Sequence, residues 1–190
     1  AFNSYTGFTP AGTTQTVTIS ADGTTEVNYY YNRISYTVTL NKGTGIATVT
    51  GAGSYLYGAS VTINATLNTG YHWVNWTGTH STTTQNYTFT MLASNVTDTA
   101  NGAANTYKVE YYQGTTKLGE SSHTYGTYKT LTAYAGTAPS SWSFNGWGTT
   151  TSATTRTYTD EENVRNLTTT NNGTVKLYAI FERTINVYSG

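Results

Sequence analysis

The chain has 190 residues, nine basic and nine acidic side chains, and a charged fraction of 9%, well below the roughly 25% of an average soluble domain. That neutrality removes the basic footprint of a nucleic-acid binder and of a polybasic membrane binder. With no cysteine, disulfide staples, a thiolate nucleophile and Cys-ligated metal are excluded as well. Threonine makes up roughly a quarter of the residues, and 18 are tyrosine. Both residue types suit a pleated, half-wet sheet.

Three short motifs recur in one order along the chain. The first is an aromatic-x-small-aromatic set: Tyr5-Thr6-Gly7-Phe8, Trp73-Val74-Asn75-Trp76 and Phe144-Asn145-Gly146-Trp147. The second is an alternating stretch, Gln15–Ser20, Gln85–Thr90 and Arg156–Thr159, with Val17, Tyr87 and Tyr158 in matching places. The third is an extended run beginning at Val27, Val96 and Val175, each followed by a fresh strand over Ser35–Leu40, Thr106–Tyr112 and Thr184–Ser189. The spacing is about 70 residues, longer than solenoid periods of about 20–50. Each repeat is therefore expected to be a small domain.

The order of motifs divides the chain. Residues 1–32 read as the C-terminal half of one module, 33–104 and 105–182 as complete modules, and 183–190 as the first strand of another. Within modules, Tyr36, Val38 and Leu40 alternate with polar residues, as do Val61, Ile63 and Ala65. Period-two alternation predicts strands with one buried and one wet face. Gly and Asn punctuate them at Lys42–Gly45, Gly51–Gly53, Asn68–Gly70 and Asn171–Gly173. One short helix is expected after Asp160, where Asp160 would cap, Glu161 and Glu162 would meet the dipole, and Val164 and Leu167 would form an apolar face. A second helical turn is expected at Met91–Asn95. The fold class is thus mostly β, in small α+β modules arranged as a linear array.

Tyr71–Trp76, Tyr87–Met91 and Ala93–Val96 together resemble the divergent form of the internalin B-type repeat. Trp142–Trp147 followed by Val175–Phe181 resembles the Listeria–Bacteroides form of the same repeat, and residues 1–33 resemble the end of a mucin-binding-type module. Leu92 and Asn75 depart from that pattern, standing where the family has Pro and Gly. The resemblance implies tandem β-grasp-like modules of a bacterial surface protein, extracellular, in a Gram-positive cell wall or secreted. It implies adhesion or a structural stalk or fibre rather than catalysis.

No nucleophile elbow, phosphate loop or dinucleotide fingerprint occurs, so no catalytic residue, metal ligand or cofactor is expected. His72, His80 and His123 lack carboxylates at ligand spacing. Trp73, Trp76 and Trp147 recur at fixed module positions, and Trp142 takes the place of Tyr71; all four are expected to be packed. Tyr29, Tyr31, Tyr55 and Tyr57 remain as surface aromatics for a glycan or glycoprotein partner, the alternative function. Lys108 with Glu110 and Asn171 or Asn172 is a candidate intramolecular cross-link. Head-to-tail self-association is expected through strand 184–189 and the 1–32 half-module, with no nucleic acid and no direct membrane insertion.

Overall fold

The computed structural model describes residues 3–185, and the chain folds into two compact units. Unit 1 comprises Ala1–Leu67 with Trp73–Gly102, and unit 2 comprises Asn68–His72 with Ala103–Gly190.

Unit 1 begins with a two-stranded ribbon, β1 (Phe8–Pro10) against β2 (Tyr31–Arg33), antiparallel with Phe8 opposite Arg33. The predicted strands at Gln15–Ser20 and from Val27 do not form: this stretch lies outside regular structure until Tyr31. Its side chains are mostly exposed, Ile19 and Tyr30 among them, and none is buried, so alternation here has no core to face. The chain then runs through β3 (Ser35–Lys42), β4 (Ile46–Thr50), β5 (Gly53–Leu56), β6 (Ser60–Leu67), β7 (Tyr71–Gly78), β8 (Tyr87–Thr90) and β9 (Val96–Ala104). These make a four-stranded sheet in the order β5-β3-β9-β7 and a three-stranded sheet in the order β4-β6-β8. The central pair β3–β9 is parallel, with Val38 opposite Val96. Between the sheets lie Val38, Val61, Ile63, Ala65, Trp76, Met91, Val96 and Ala100.

Unit 2 repeats the larger sheet. Its strands are β10 (Thr106–Gln113), β11 (Thr116–Thr124), β12 (Lys129–Thr130), β13 (Ser143–Gly148), β14 (Asn163–Val164) and β15 (Gly173–Glu182). The order β11-β10-β15-β13 matches that of unit 1, again with first and last strands paired in parallel, Val109 opposite Val175. A two-stranded β12–β14 ribbon covers it. Tyr107, Val109, Tyr111, Leu131, Trp147, Val164 and Leu177 form its core.

The expected helices are absent: the described residues are strand, turn and coil throughout. Asp160 does not cap a helix; its Oδ1 accepts the Tyr134 N–H at 3.0 Å. Glu161 takes a left-handed φ of 53°, which a right-handed helix cannot contain. Val164 pairs with Lys129 as a strand residue and is buried. At Met91–Asn95 the Met91 side chain enters the core, its N–H donates to Ala59 O and its carbonyl accepts from Gly58. The expected fresh strand at Thr184–Ser189 falls mostly outside the described residues, and Thr184 and Ile185 themselves carry no strand.

The repeats are also in a different register from the motif reading. Trp76 and Trp147 are equivalent, each fully buried and each bridged to a later segment, at Thr82 and Tyr158. Tyr5–Phe8 is not their counterpart. It matches Asn68–Tyr71 and Pro139–Trp142: in all three the fourth residue's N–H donates to the first residue's carbonyl, at 3.1, 3.2 and 3.0 Å, and the turn leads into the strand paired with the repeat's last strand.

Candidate functional site

The tryptophans divide by position. Trp76 and Trp147 are inaccessible, and the Trp76 indole N–H donates to Gln85 O at 2.9 Å. Trp73 is half-buried beside Trp76, with ring centroids 5.5 Å apart and its indole donating to Thr83 O. Trp142 departs from expectation: it is 43% exposed, with the Arg183 guanidinium 5.5 Å from its ring centre. It stands just ahead of β13, outside the face that Phe144 and Trp147 present to the core.

The four surface tyrosines make separate local contacts. Tyr31 hydroxyl both accepts the Asn3 N–H and donates to Asn3 O, and its ring meets Tyr5 edge-on at 5.0 Å. Tyr55 packs against the unit 1 core and donates to Gly51 O at 3.0 Å. Tyr57 is half-buried against Phe8, 5.6 Å between centroids. Tyr29 is 45% exposed.

A charge ladder crosses the wet face of β10 and β11. Lys108 reaches Glu120 at 2.6 Å, Lys117 bridges Glu120 and Glu110 at 2.6 and 2.7 Å, and the Tyr112 hydroxyl donates to Glu110 at 2.8 Å. Lys108 and then Lys117 hold Glu120 down to about 2, and Lys117 and Tyr112 hold Glu110 below the usual carboxylate range. Lys117 is itself raised by both glutamates, and Tyr112 by Glu110. Ionised and paired, these groups offer no proton acceptor poised near neutrality. The ladder also bears on the cross-link candidates. Lys108 is about half exposed and engaged by Glu120, while Glu110 is held by Lys117. Asn172 lines a depression with Lys108, and Asn171 Oδ1 accepts the Thr106 N–H. The buried lysine–acid–asparagine grouping that such a bond requires is not assembled.

Two buried polar sites were not legible from motifs. In unit 1, Asp98 is fully buried in β9 and accepts from His80 twice, from its N–H at 2.8 Å and from Nδ1 at 2.7 Å. The His80 ring lies on Phe89, centroids 4.2 Å apart. The pair ties the loop after β7 to β9. In unit 2, Tyr111 hydroxyl accepts the Thr132 N–H and meets Ser121 Oγ at 2.9 Å, and Ser121 meets His123 Nε2 at 2.9 Å. His123 is buried and its Nδ1 has no partner. Burial, then the Lys129 charge, push its pKa down.

Among the described residues, no group of three or more His, Asp or Glu could hold a metal. A shallow dish of about 480 Å³ is lined by Tyr128, Glu162, Asn163, Arg165 and Asn166 among others, with Arg165 4.7 Å from the Tyr128 ring centre.

Among known families, residues 36–106 match the model of the divergent InlB B-repeat domain, which spans the complete module of unit 1 from the second residue of β3 to the first of β10. That family is typical of bacterial surface proteins. The third module lies beyond the match yet shares the strand order. No curated protein matches the chain.

Proposed function

We propose that the chain is an extracellular, non-catalytic repeat segment of a bacterial surface protein that acts in adhesion or as a structural stalk or fibre. One observation carries the reading: two successive modules reproduce the same four-stranded order, each with a parallel central pair and a buried tryptophan. Reusing one scaffold lengthens an array without a new fold, and each module supplies its own core. The mixed sheet with first and last strands at its centre is consistent with a β-grasp-like module that has dispensed with its helix. The wet faces are threonine-rich, with cross-strand hydroxyl pairs at Thr48–Thr66 and Thr62–Thr88, 2.6 and 2.8 Å apart. Such faces are soluble without charge.

The test is antibody labelling of the producing bacterium against this chain. Intact cells are expected to label as strongly as lysed ones; label seen only after lysis overturns the surface assignment. A glycan- or glycoprotein-binding role is favoured by one feature, the exposed aromatics Tyr30, Tyr128 and Trp142 at 69%, 60% and 43% exposure. A glycan array separates the readings, since a stalk retains no sugar on it. Head-to-tail self-association is part of the proposal, and light scattering across a concentration series reads it directly.

A further inference from the structure

The three equivalent turns share a further property. Their third residues, Gly7, Gly70 and Ser141, have φ of 80°, 80° and 68°. In the first two, the glycine carbonyl accepts the N–H of the residue just beyond the repeat's last strand, Ile34 to Gly7 and Asn105 to Gly70, both 2.8 Å. The carbonyl of that residue accepts in turn from a tyrosine of the following repeat, Tyr57 N–H to Ile34 and Tyr125 N–H to Asn105, again 2.8 Å. Each tyrosine precedes a left-handed glycine, Gly58 or Gly126, and these are the two Tyr-Gly pairs in the sequence. Its ring lies against the bare glycine of the turn: a Cβ on Gly7 or Gly70 would come within 2.2 or 2.1 Å of ring carbons of Tyr57 or Tyr125, closer than any real contact. The aromatic after the glycine meets the ring edge-on, Phe8 with Tyr57 and Tyr71 with Tyr125.

The third turn shares its closing hydrogen bond and left-handed third residue with the other two. Trp142 follows Ser141 as Phe8 follows Gly7. The β13–β15 register, Ser143 opposite Glu182, continues to place Arg183 beside Trp142, as Arg33 stands opposite Phe8. Arg33 donates to the Tyr57 carbonyl at 3.4 Å; Arg183 lies over the exposed Trp142 ring. The turn residue differs in kind. Ser141 carries a Cβ where the other two turns leave room for a ring.

We propose that Ser141, Trp142, Arg183 and Thr184 form a third seat of the same kind, and that it receives the corresponding turn of a further repeat whose side chain is small where Tyr57 and Tyr125 are aromatic. The filled seats identify the occupant by its chemistry: an Xaa-Gly turn offering a backbone N–H to Thr184, as in both, and a carbonyl to Arg183, as Tyr57 offers Arg33 in the first, where the second has Ala104. Ser141 sets which turns fit. This rests on the tandem-repeat reading and is independent of where the protein resides.

The test extends the full chain after Thr184 with a second copy of residues 106–182, whose turn carries either Tyr or Tyr→Ala at the position of Tyr125. Both forms are made with Ser141 and with Ser141→Gly. Iodide quenching of Trp142, isolated by difference from Trp142→Phe, reports occupancy. The alanine turn is expected to remove most of the Trp142 quenching beside Ser141, and the tyrosine turn to do so only beside Ser141→Gly. Equal quenching in all four, protection confined to Ser141→Gly, or full protection by the tyrosine turn beside Ser141 each overturns the proposal. The keying rule is also read in the unextended chain. Gly70→Ser is expected to lower the unit 2 thermal midpoint far more with Tyr125 present than in a Tyr125→Ala background. The backbone strain of the serine is common to both, so equal shifts overturn the rule even if the appended copy fails to fold.

Discussion

Asp98 shows how much one side chain can rest on another. It is a fully buried carboxylate whose two oxygens both accept from His80, and hydrogen bonds to a charged group contribute about 1.5–3 kcal/mol. Asp98→Asn is expected to destabilise unit 1 by about 2 kcal/mol, measured by urea unfolding, with His80→Ala costing a similar amount and the double variant less than the sum. The position was readable in part: Val96, Asp98 and Ala100 alternate in phase, so the acid had to face the core. Its partner was not, because His80 arrives from a loop whose path no periodicity encodes. His123 makes the opposite demand. Its folded pKa lies below the ordinary 6.5, so the unfolded chain binds the proton more readily. Stability is whole above that value and is lost as pH falls through it. The unit 2 thermal midpoint is expected to drop between about pH 7 and 5, where an ordinary histidine titrates, and to flatten in His123→Leu.

At the scale of elements, the segment after Asp160 shows why short apolar spacing misleads. Val164 and Leu167 stand three apart, as on a helix, yet Val164 is the buried end of a two-residue strand and Leu167 packs separately against the same core. Two apolar residues cannot distinguish those outcomes. Glu161 decides it through its left-handed φ, a conformation costing a non-glycine residue roughly 1–2 kcal/mol. Glu161→Gly is therefore expected to stabilise unit 2 by about 0.5–1 kcal/mol, once the extra freedom of unfolded glycine is deducted. A helix start would respond with the opposite sign, so chemical denaturation separates the two. The strands of the complete modules were legible because each has a core to face. The N-terminal stretch carries the same alternation without one, and there the pattern misled.

For the molecule as a whole, two aromatic cores carry the fold. Trp76 and Trp147 are the largest fully buried side chains, and truncating a buried Trp costs about 3–5 kcal/mol. Trp76→Ala is expected to lower the calorimetric transition of unit 1, and Trp147→Ala that of unit 2. A common loss in both variants would contradict two separate cores. The recurrence of Trp76 and Trp147 was plain in the sequence, and with it the modular plan. The third member of the repeat was mistaken because Tyr5–Phe8 shares their aromatic spacing, while its true counterparts share only a turn: hydrogen bonding defines that equivalence, and residue type does not.

The parallel pairing of first and last strands has one more consequence. In each module the chain enters at one end of the central pair and leaves at the other, along β3 and β9 in unit 1 and β10 and β15 in unit 2. Tension on the two ends of a module therefore pulls those strands past each other lengthwise. Every hydrogen bond between them is loaded at once, where an antiparallel hairpin would be unzipped one bond at a time. Stretched singly by force microscopy, each module is expected to hold to a sharp rupture peak. A proline at Thr39, replacing a residue within the β3–β9 pair, is expected to lower that peak in unit 1 and leave the peak of unit 2 unchanged.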